Sequence, residues 1–140
     1  MSSNPKKEVV DSASAPKPFP VMPFSAAVKS GGMVYVSGNV GYDVKAGKMV
    51  EGPIQDRTRE ALKNISAVLT DAGSSLSAIV KANVYLTDMK DFAAMNEAYL
   101  EFFPEEGGRP ARTCVQVAAL PFGTDVEIEC TAHLCERERE

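Results

Sequence analysis

Residues 53–87 read PIQDRTREALKNISAVLTDAGSSLSAIVKANVYLT, and the hydrophobic period changes partway through them. From Ile54 the apolar residues Ala61, Leu62, Ile65, Val68, Leu69 and Ala72 recur at three- and four-residue steps, which predicts an amphipathic helix. Pro53 is suited to begin it and Gly73 to end it, because proline lacks a donor the first turn does not need and glycine tolerates a left-handed exit. From Ser77 to Thr87 the period drops to two, with Ala82, Val84 and Leu86 on one side and Lys81, Asn83 and Tyr85 on the other, which predicts a strand.

On the N-terminal side, MVYVSG (33–38) is a strand signal that ends or bulges at Ser37 and Gly38. GYDVKAGKMVEG (41–52) then reads as a turn with a short return strand bent at Lys45–Gly47. On the C-terminal side a second helix opens near Asp88–Asp91. It presents Phe92, Met95, Tyr99, Phe102 and Phe103 on roughly one side before Pro104 and Gly107–Gly108 break it. Two strands close the chain. Parity assigns Val115, Val117 and Ala119 to the core face of the first, and Val126, Ile128, Cys130, Ala132 and Leu134 to that of the second. The order strand, strand, helix, strand, helix, strand, strand predicts an α+β fold, a mostly antiparallel sheet with two helices packed on one face.

At 140 residues with 44% hydrophobic content the chain holds one domain, expected over residues 19–135. Residues 1–18, rich in Ser, Pro and Lys, read as a flexible tail, and 136–140 as a charged one. The net charge of -4 argues against a nucleic-acid partner, and no apolar run reaches the ~18 residues of a membrane helix. Neither a secretory signal nor an Arg-rich presequence stands at the start. A cytoplasmic location is therefore expected, with mitochondrial import left open. The three cysteines, Cys114, Cys130 and Cys135, suit a reducing compartment. In CTAHLC (130–135) a strand turns Cys130 away from His133 and Cys135, so at most two ligands converge and no metal site is expected.

The same parity places Arg112, Cys114 and Gln116, with Tyr85, on the helix-free face beside Glu127, Glu129 and Thr131. Taken alone, such an Arg and Glu read as solvated groups or a weak ion pair. A tight hairpin of the last two strands would leave Arg112 and Glu127 roughly 13 Å apart. For the two to share a small ligand, either the strands are not neighbours or more than one subunit completes the site. A half-apolar, helix-free face would in any case suit a subunit interface.

Three segments together carry a family resemblance. PARTCVQVAALPFGTDVEIE (110–129), MPFSAAVKSGGMVYVSGNVG (22–41) and VKANVYLTDMKDFAAMNEAYLEFF (80–103), the last including Asn96, resemble the RidA/YjgF reactive-intermediate deaminases from about Phe24 to Leu134. The resemblance implies homotrimers of chorismate-mutase-like subunits with sites in the clefts between them. It implies hydrolysis of 2-imino acids such as 2-iminobutanoate and 2-iminopropanoate, released by enzymes such as threonine dehydratase, to 2-keto acids and ammonia. In that frame Arg112 matches the residue that binds the substrate carboxylate, and Glu127 the one that handles the catalytic water. Ser37 and Gly38 match pocket-lining positions and Cys114 a residue beside the pocket. Phe24 stands where many relatives have Tyr, so ring packing alone carries over. The chemistry agrees with the residue types: a guanidinium fork grips a planar carboxylate through two parallel bonds. Imines already hydrolyse in water, so no metal or organic cofactor is expected. The competing expectation is a chaperone-like or translation-inhibiting interaction protein. A ribonuclease is disfavoured because His133 is the only histidine and no basic stripe exists.

Overall fold

A computed structural model describes residues 6–17 and 23–135. In it a six-stranded sheet carries two helices on one face. The strands are β1 (Glu8–Val10), β2 (Ala27–Ser30), β3 (Met33–Asn39), β6 (Ile79–Leu86), β7 (Ala111–Gln116) and β8 (Val126–His133), in the order β1-β2-β3-β8-β6-β7. Only β6 and β7 pair in parallel. A separate two-stranded ribbon, β4 (Tyr42–Asp43) with β5 (Lys48–Met49), is the hairpin expected from the turn at Lys45–Gly47.

Helix α1 (Ile54–Ala72) follows Pro53 and stops at Gly73, whose φ of 87° is left-handed. Amides of Gly73 and Ser74 close the last turn on the carbonyls of Thr70 and Leu69. Its apolar stripe, Leu62, Ile65 and Leu69, joins Val34 of β3, Val84 of β6 and Ile128 of β8 in one core, all of them nearly or wholly inaccessible. Burying each of the larger residues stabilises the fold by about 1.5–3 kcal/mol before entropy is counted. Helix α2 (Phe92–Phe102) buries Met95, Ala98 and Tyr99 and packs against α1. Among the described residues no helix is long and apolar enough to cross a membrane.

Three departures from the sequence-based expectation matter. First, residues 8–10, within the stretch expected as a tail, add an edge strand to β2, and Val10, Ser12 and Ala15 are buried. The Ser12 hydroxyl donates to Asp71 on α1. Serine- and proline-rich composition hid the Val9–Val10 pair that makes this strand. Residues 1–5 and 136–140 lie outside the described part. Second, β7 and β8 are not neighbours, since β6 lies between them. This alone does not bring Arg112 and Glu127 together.

Third, β7 is turned over relative to its expected parity. Arg112 and Cys114 pair with the buried Ala82 and Val84, so they face the helices with Gln116, while Val115 is 41% exposed and Ala119 is exposed too. As the sheet's edge strand, β7 meets α2 rather than the apolar centre of α1. A guanidinium lying on aromatic rings takes the place an aliphatic residue would fill in a central strand. Glu127, Glu129 and Thr131 do face away from the helices, with Tyr85, because Val126, Ile128, Cys130 and Ala132 hold the core side of β8.

Candidate functional site

The residues singled out in the sequence fall into two groups. The first surrounds Arg112. Its Nη1 donates to Asn96 Oδ1 at 2.7 Å, and its guanidinium carbon stands 4.7 Å from the Tyr99 ring centroid and 5.5 Å from that of Phe92. All three partners come from α2, where positions 92, 96 and 99 share a face at helical spacing. Among the described residues no carboxylate pairs with Arg112, which distinguishes it from Arg57 and Arg59, both ion-paired. Half-buried, permanently charged and oriented by a neutral amide and two rings, it keeps N–H donors for an external anion. Cys114 lies one pleat along the same face. Burial pushes its thiol pKa up, and the nearby Arg112 only partly opposes this, so it is a neutral, weakly nucleophilic wall at pH 7.

The second group lines a cleft of about 1080 Å³ that includes Phe24, Ser37, Gly38, Phe122, Glu127 and Glu129. Between Val36 and Asn39 the pairing of β3 with β8 shifts register, so the strand bulges at Ser37–Gly38 as expected. The Ser37 hydroxyl donates to the Ser25 carbonyl at 2.6 Å and ties the segment carrying Phe24 to the bulge. Gly38 admits the Glu127 side chain: a Cβ built there would stand 2.6 Å from Glu127 Oε1. The requirement is close approach rather than an unusual backbone angle.

The two glutamates have different surroundings. Glu129 Oε1 accepts from the Tyr85 hydroxyl at 2.7 Å and from Asn83 Nδ2 at 3.1 Å. That bond raises the Tyr85 phenol to about 12. Glu127 takes part in no such bond among the described residues. Its pKa is raised by burial first and by the Glu129 charge second. A carboxylate pushed toward neutrality and open to a cleft is suited to proton transfer with a bound water. Its neighbour is an anchored structural anion.

Within one chain the two groups do not converge. Glu127 aligns with Tyr85 of β6 and Tyr85 with Val115 of β7, which puts the Arg112 and Glu127 Cα atoms roughly 14 Å apart by ladder spacing. Their side chains leave opposite faces of the sheet. Phe24, Ser37, Gly38 and Glu127 are thus brought together, Arg112 and Cys114 are brought together, and the sets are separate.

Phe122 was not anticipated. It lines the cleft 48% exposed, with φ of 62° in the turn Pro121–Gly123. A large apolar residue before Gly123 was the available signal, but φ above zero is rare for such residues and the pattern does not announce it. The Phe92–Tyr99 cage of Arg112 is likewise not legible in the sequence, where both rings read as part of one core face. The His133 ring pairs with the neighbouring Leu134 carbonyl, and no metal-binding cluster occurs among the described residues.

The family model described as Endoribonuclease L-PSP matches residues 14–134. A RutC family protein of Pyrococcus horikoshii is 46% identical over 127 residues, which is 91% of this chain and 98% of that one. A 2-iminobutanoate/2-iminopropanoate deaminase of Mus musculus is 40% identical over 126 residues, covering 90% of each. Among solved structures, that of E. coli TdcF with bound serine superposes with a TM-score of 0.82 at 36% identity, over 91% of this chain and 99% of the other. With sequence likeness and fold agreeing across nearly the whole domain, the chain belongs to the RidA/YjgF family.

Proposed function

We propose that this protein hydrolyses 2-imino acids, with 2-iminobutanoate and 2-iminopropanoate as representative substrates, to 2-keto acids and ammonia at sites shared between copies of the chain. The observation that carries this reading is the division of the site. A cation with no counter-charge among the described residues stands at one sheet edge, and a carboxyl of raised pKa stands in a cleft on the other side. In a ring of three identical subunits, the edge of one meeting the cleft of the next would join them into one pocket. The name of the murine relative supports the reaction, and the serine in the TdcF structure supports a ligand of amino-acid size in this fold.

In the proposed reaction the Arg112 fork binds the substrate carboxylate through two N–H donors while Asn96 and the two rings hold its plane. Glu127 accepts a proton from water as the water oxygen bonds to C2 of the imine and passes that proton to the nitrogen, which gives a neutral carbinolamine and restores the carboxylate. The carboxylate then takes the hydroxyl proton and delivers it to the nitrogen as the C–N bond breaks, so the carbonyl forms, ammonia departs and Glu127 ends ionised as it began. Ser37 is committed to the Ser25 carbonyl, so its part is to shape the wall. Phe24 and Phe122 supply apolar surface that excludes bulk water from the reacting carbon.

The ribonuclease suggested by the family model's description receives less support. Among the described residues the cleft carries the carboxylates Asp11, Glu127 and Glu129 against one cation, Lys17, a balance that repels phosphate. The test generates 2-iminobutanoate from threonine with a threonine dehydratase and traps it with semicarbazide. Added protein should lower the semicarbazone yield and speed 2-ketobutyrate formation; an unchanged yield would refute the proposal.

A further inference from the structure

Arg57 lies on the first turns of α1, outside the cleft, yet it is bound on every side. Its Nε and Nη2 each donate to one oxygen of Asp125 at 2.7 Å, and its Nη1 donates to the Gly52 carbonyl at 2.7 Å and to the Val50 carbonyl at 3.2 Å. The ion pair is mostly buried, with side-chain exposures of 18% and 26%. Burial opposes ionisation of Asp125, but the bonds from Arg57 outweigh it and keep the carboxyl below its ordinary range. A desolvated, bidentate pair fixes geometry in a way that surface pairs such as Arg59–Glu101 do not.

What Arg57 fixes is both walls of the cleft. Asp125 immediately precedes β8 and stands two residues before Glu127. On the other wall, Val50, whose carbonyl accepts from Arg57 Nη1, donates its amide to the carbonyl of Gly41 at 2.8 Å, and Gly41 follows the β3 bulge and lies against the Arg57 main chain. The ladder alone does not set the position of Gly38, because pairing with β8 lapses between Val36 and Asn39. Gly38 is nonetheless the residue on which the Glu127 carboxyl rests.

We infer that Arg57 is a positioning residue for Glu127. By tying the start of β8 through Asp125 to the end of β3 through Gly41, it sets the separation of Gly38 and the Glu127 carboxyl, and so the place of the attacking water. The inference rests on Glu127 being the group that handles that water. A general base displaced by about 1 Å costs up to about 100-fold in rate while leaving distant contacts untouched. Arg112 is such a distant contact, so carboxylate binding is spared.

The experiment compares full-length Arg57→Met and Arg57→Lys with Arg59→Met, which removes a partly exposed, ion-paired arginine from the same helix. Thermal unfolding identifies the variants that fold. Each is then measured for kcat on 2-iminobutanoate, for 2-ketobutyrate affinity, and for the midpoint of the Glu127 side-chain carboxyl 13C titration, assigned with Glu127→Gln. The expected result is a fall in kcat of about 10- to 100-fold in Arg57→Met with keto-acid affinity kept. The Glu127 midpoint should be displaced, the Lys variant should be intermediate, and Arg59→Met should be normal. A folded Arg57→Met with wild-type kcat and midpoint would overturn the inference. If Arg57→Met does not fold, Asp125→Asn decides by the same two readouts, and wild-type values for both overturn it. Should the wild-type protein hydrolyse no imine, the functional reading fails, and the carboxyl titration alone decides whether Arg57 places Glu127.

Discussion

Replacing Arg112 with lysine keeps the positive charge and most of the length but removes the planar fork. In the structure one guanidinium nitrogen is engaged by Asn96 at 2.7 Å, which holds the plane and leaves donors on the other nitrogens for a carboxylate. An ammonium retained by Asn96 offers a single remaining direction, so the substrate loses one of its two charge-assisted bonds. Such a bond contributes about 1.5–3 kcal/mol, equivalent to roughly a 10- to 150-fold loss in kcat/KM. The lysine also loses the flat stacking on Tyr99 and Phe92, which adds rotational freedom and pushes the loss toward the upper end. The assay is the competition between protein and semicarbazide for enzymatically generated 2-iminobutanoate, with thermal unfolding run in parallel. A folded Arg112→Lys protein with near wild-type kcat/KM would refute bidentate gripping of the carboxylate.

Gly38→Ala should depress kcat while leaving unfolding nearly unchanged, because the added methyl collides with the far end of the Glu127 side chain rather than with backbone; steady-state kinetics with calorimetry checks this. Glu127→Gln should lower single-turnover imine hydrolysis by about 10²- to 10⁴-fold, whereas Glu129→Gln, which alters an anion bonded to Tyr85 and Asn83, should affect turnover far less. The sign for stability is opposite. The folded-state pKa of Glu127 is raised, so wild-type stability falls as pH rises from the unfolded pKa through the folded one, and Glu127→Gln should unfold at a higher temperature than wild type at pH 7. Cys114→Ala should retain most activity, and in the wild type Cys114 should react with iodoacetamide at pH 7 more slowly than a free cysteine, because burial raises its pKa; rapid labelling would contradict this.

Much of the frame was legible in the sequence because strong periods announce it. The step from three- and four-residue spacing to alternation at Ser77 located α1 and β6, and Gly73 marked the helix end at its left-handed cap. The face of Glu127 followed from the alternating apolar positions Val126, Ile128, Cys130 and Ala132 of β8, continued by Leu134 just past it. The face of Arg112 did not. Val115 in β7 and Val117 just past it suggested a core side, yet an edge strand has little core to face, and the residue that α2 covers is the arginine. The Phe92–Tyr99 cage and the Arg57–Asp125 clamp depend on contacts between elements distant in sequence, the latter 68 residues apart, and no local pattern encodes such pairs. Ser37–Gly38 stood out because glycine inside a strand signals a bulge or a close neighbour, and here it marks both.

The central claim is that one copy supplies Arg112 and another supplies Glu127, and subunit mixing tests it directly. Arg112→Ala and Glu127→Gln proteins, each inactive alone, are combined by co-refolding in equal amounts and assayed for imine hydrolysis. If every site takes its arginine from one subunit and its glutamate from the next, random assembly leaves about one quarter of the sites intact, and the mixture should recover about one quarter of wild-type activity. A mixture that assembles but stays as inactive as its components would contradict the account, because a site built within one chain cannot be restored by a neighbour.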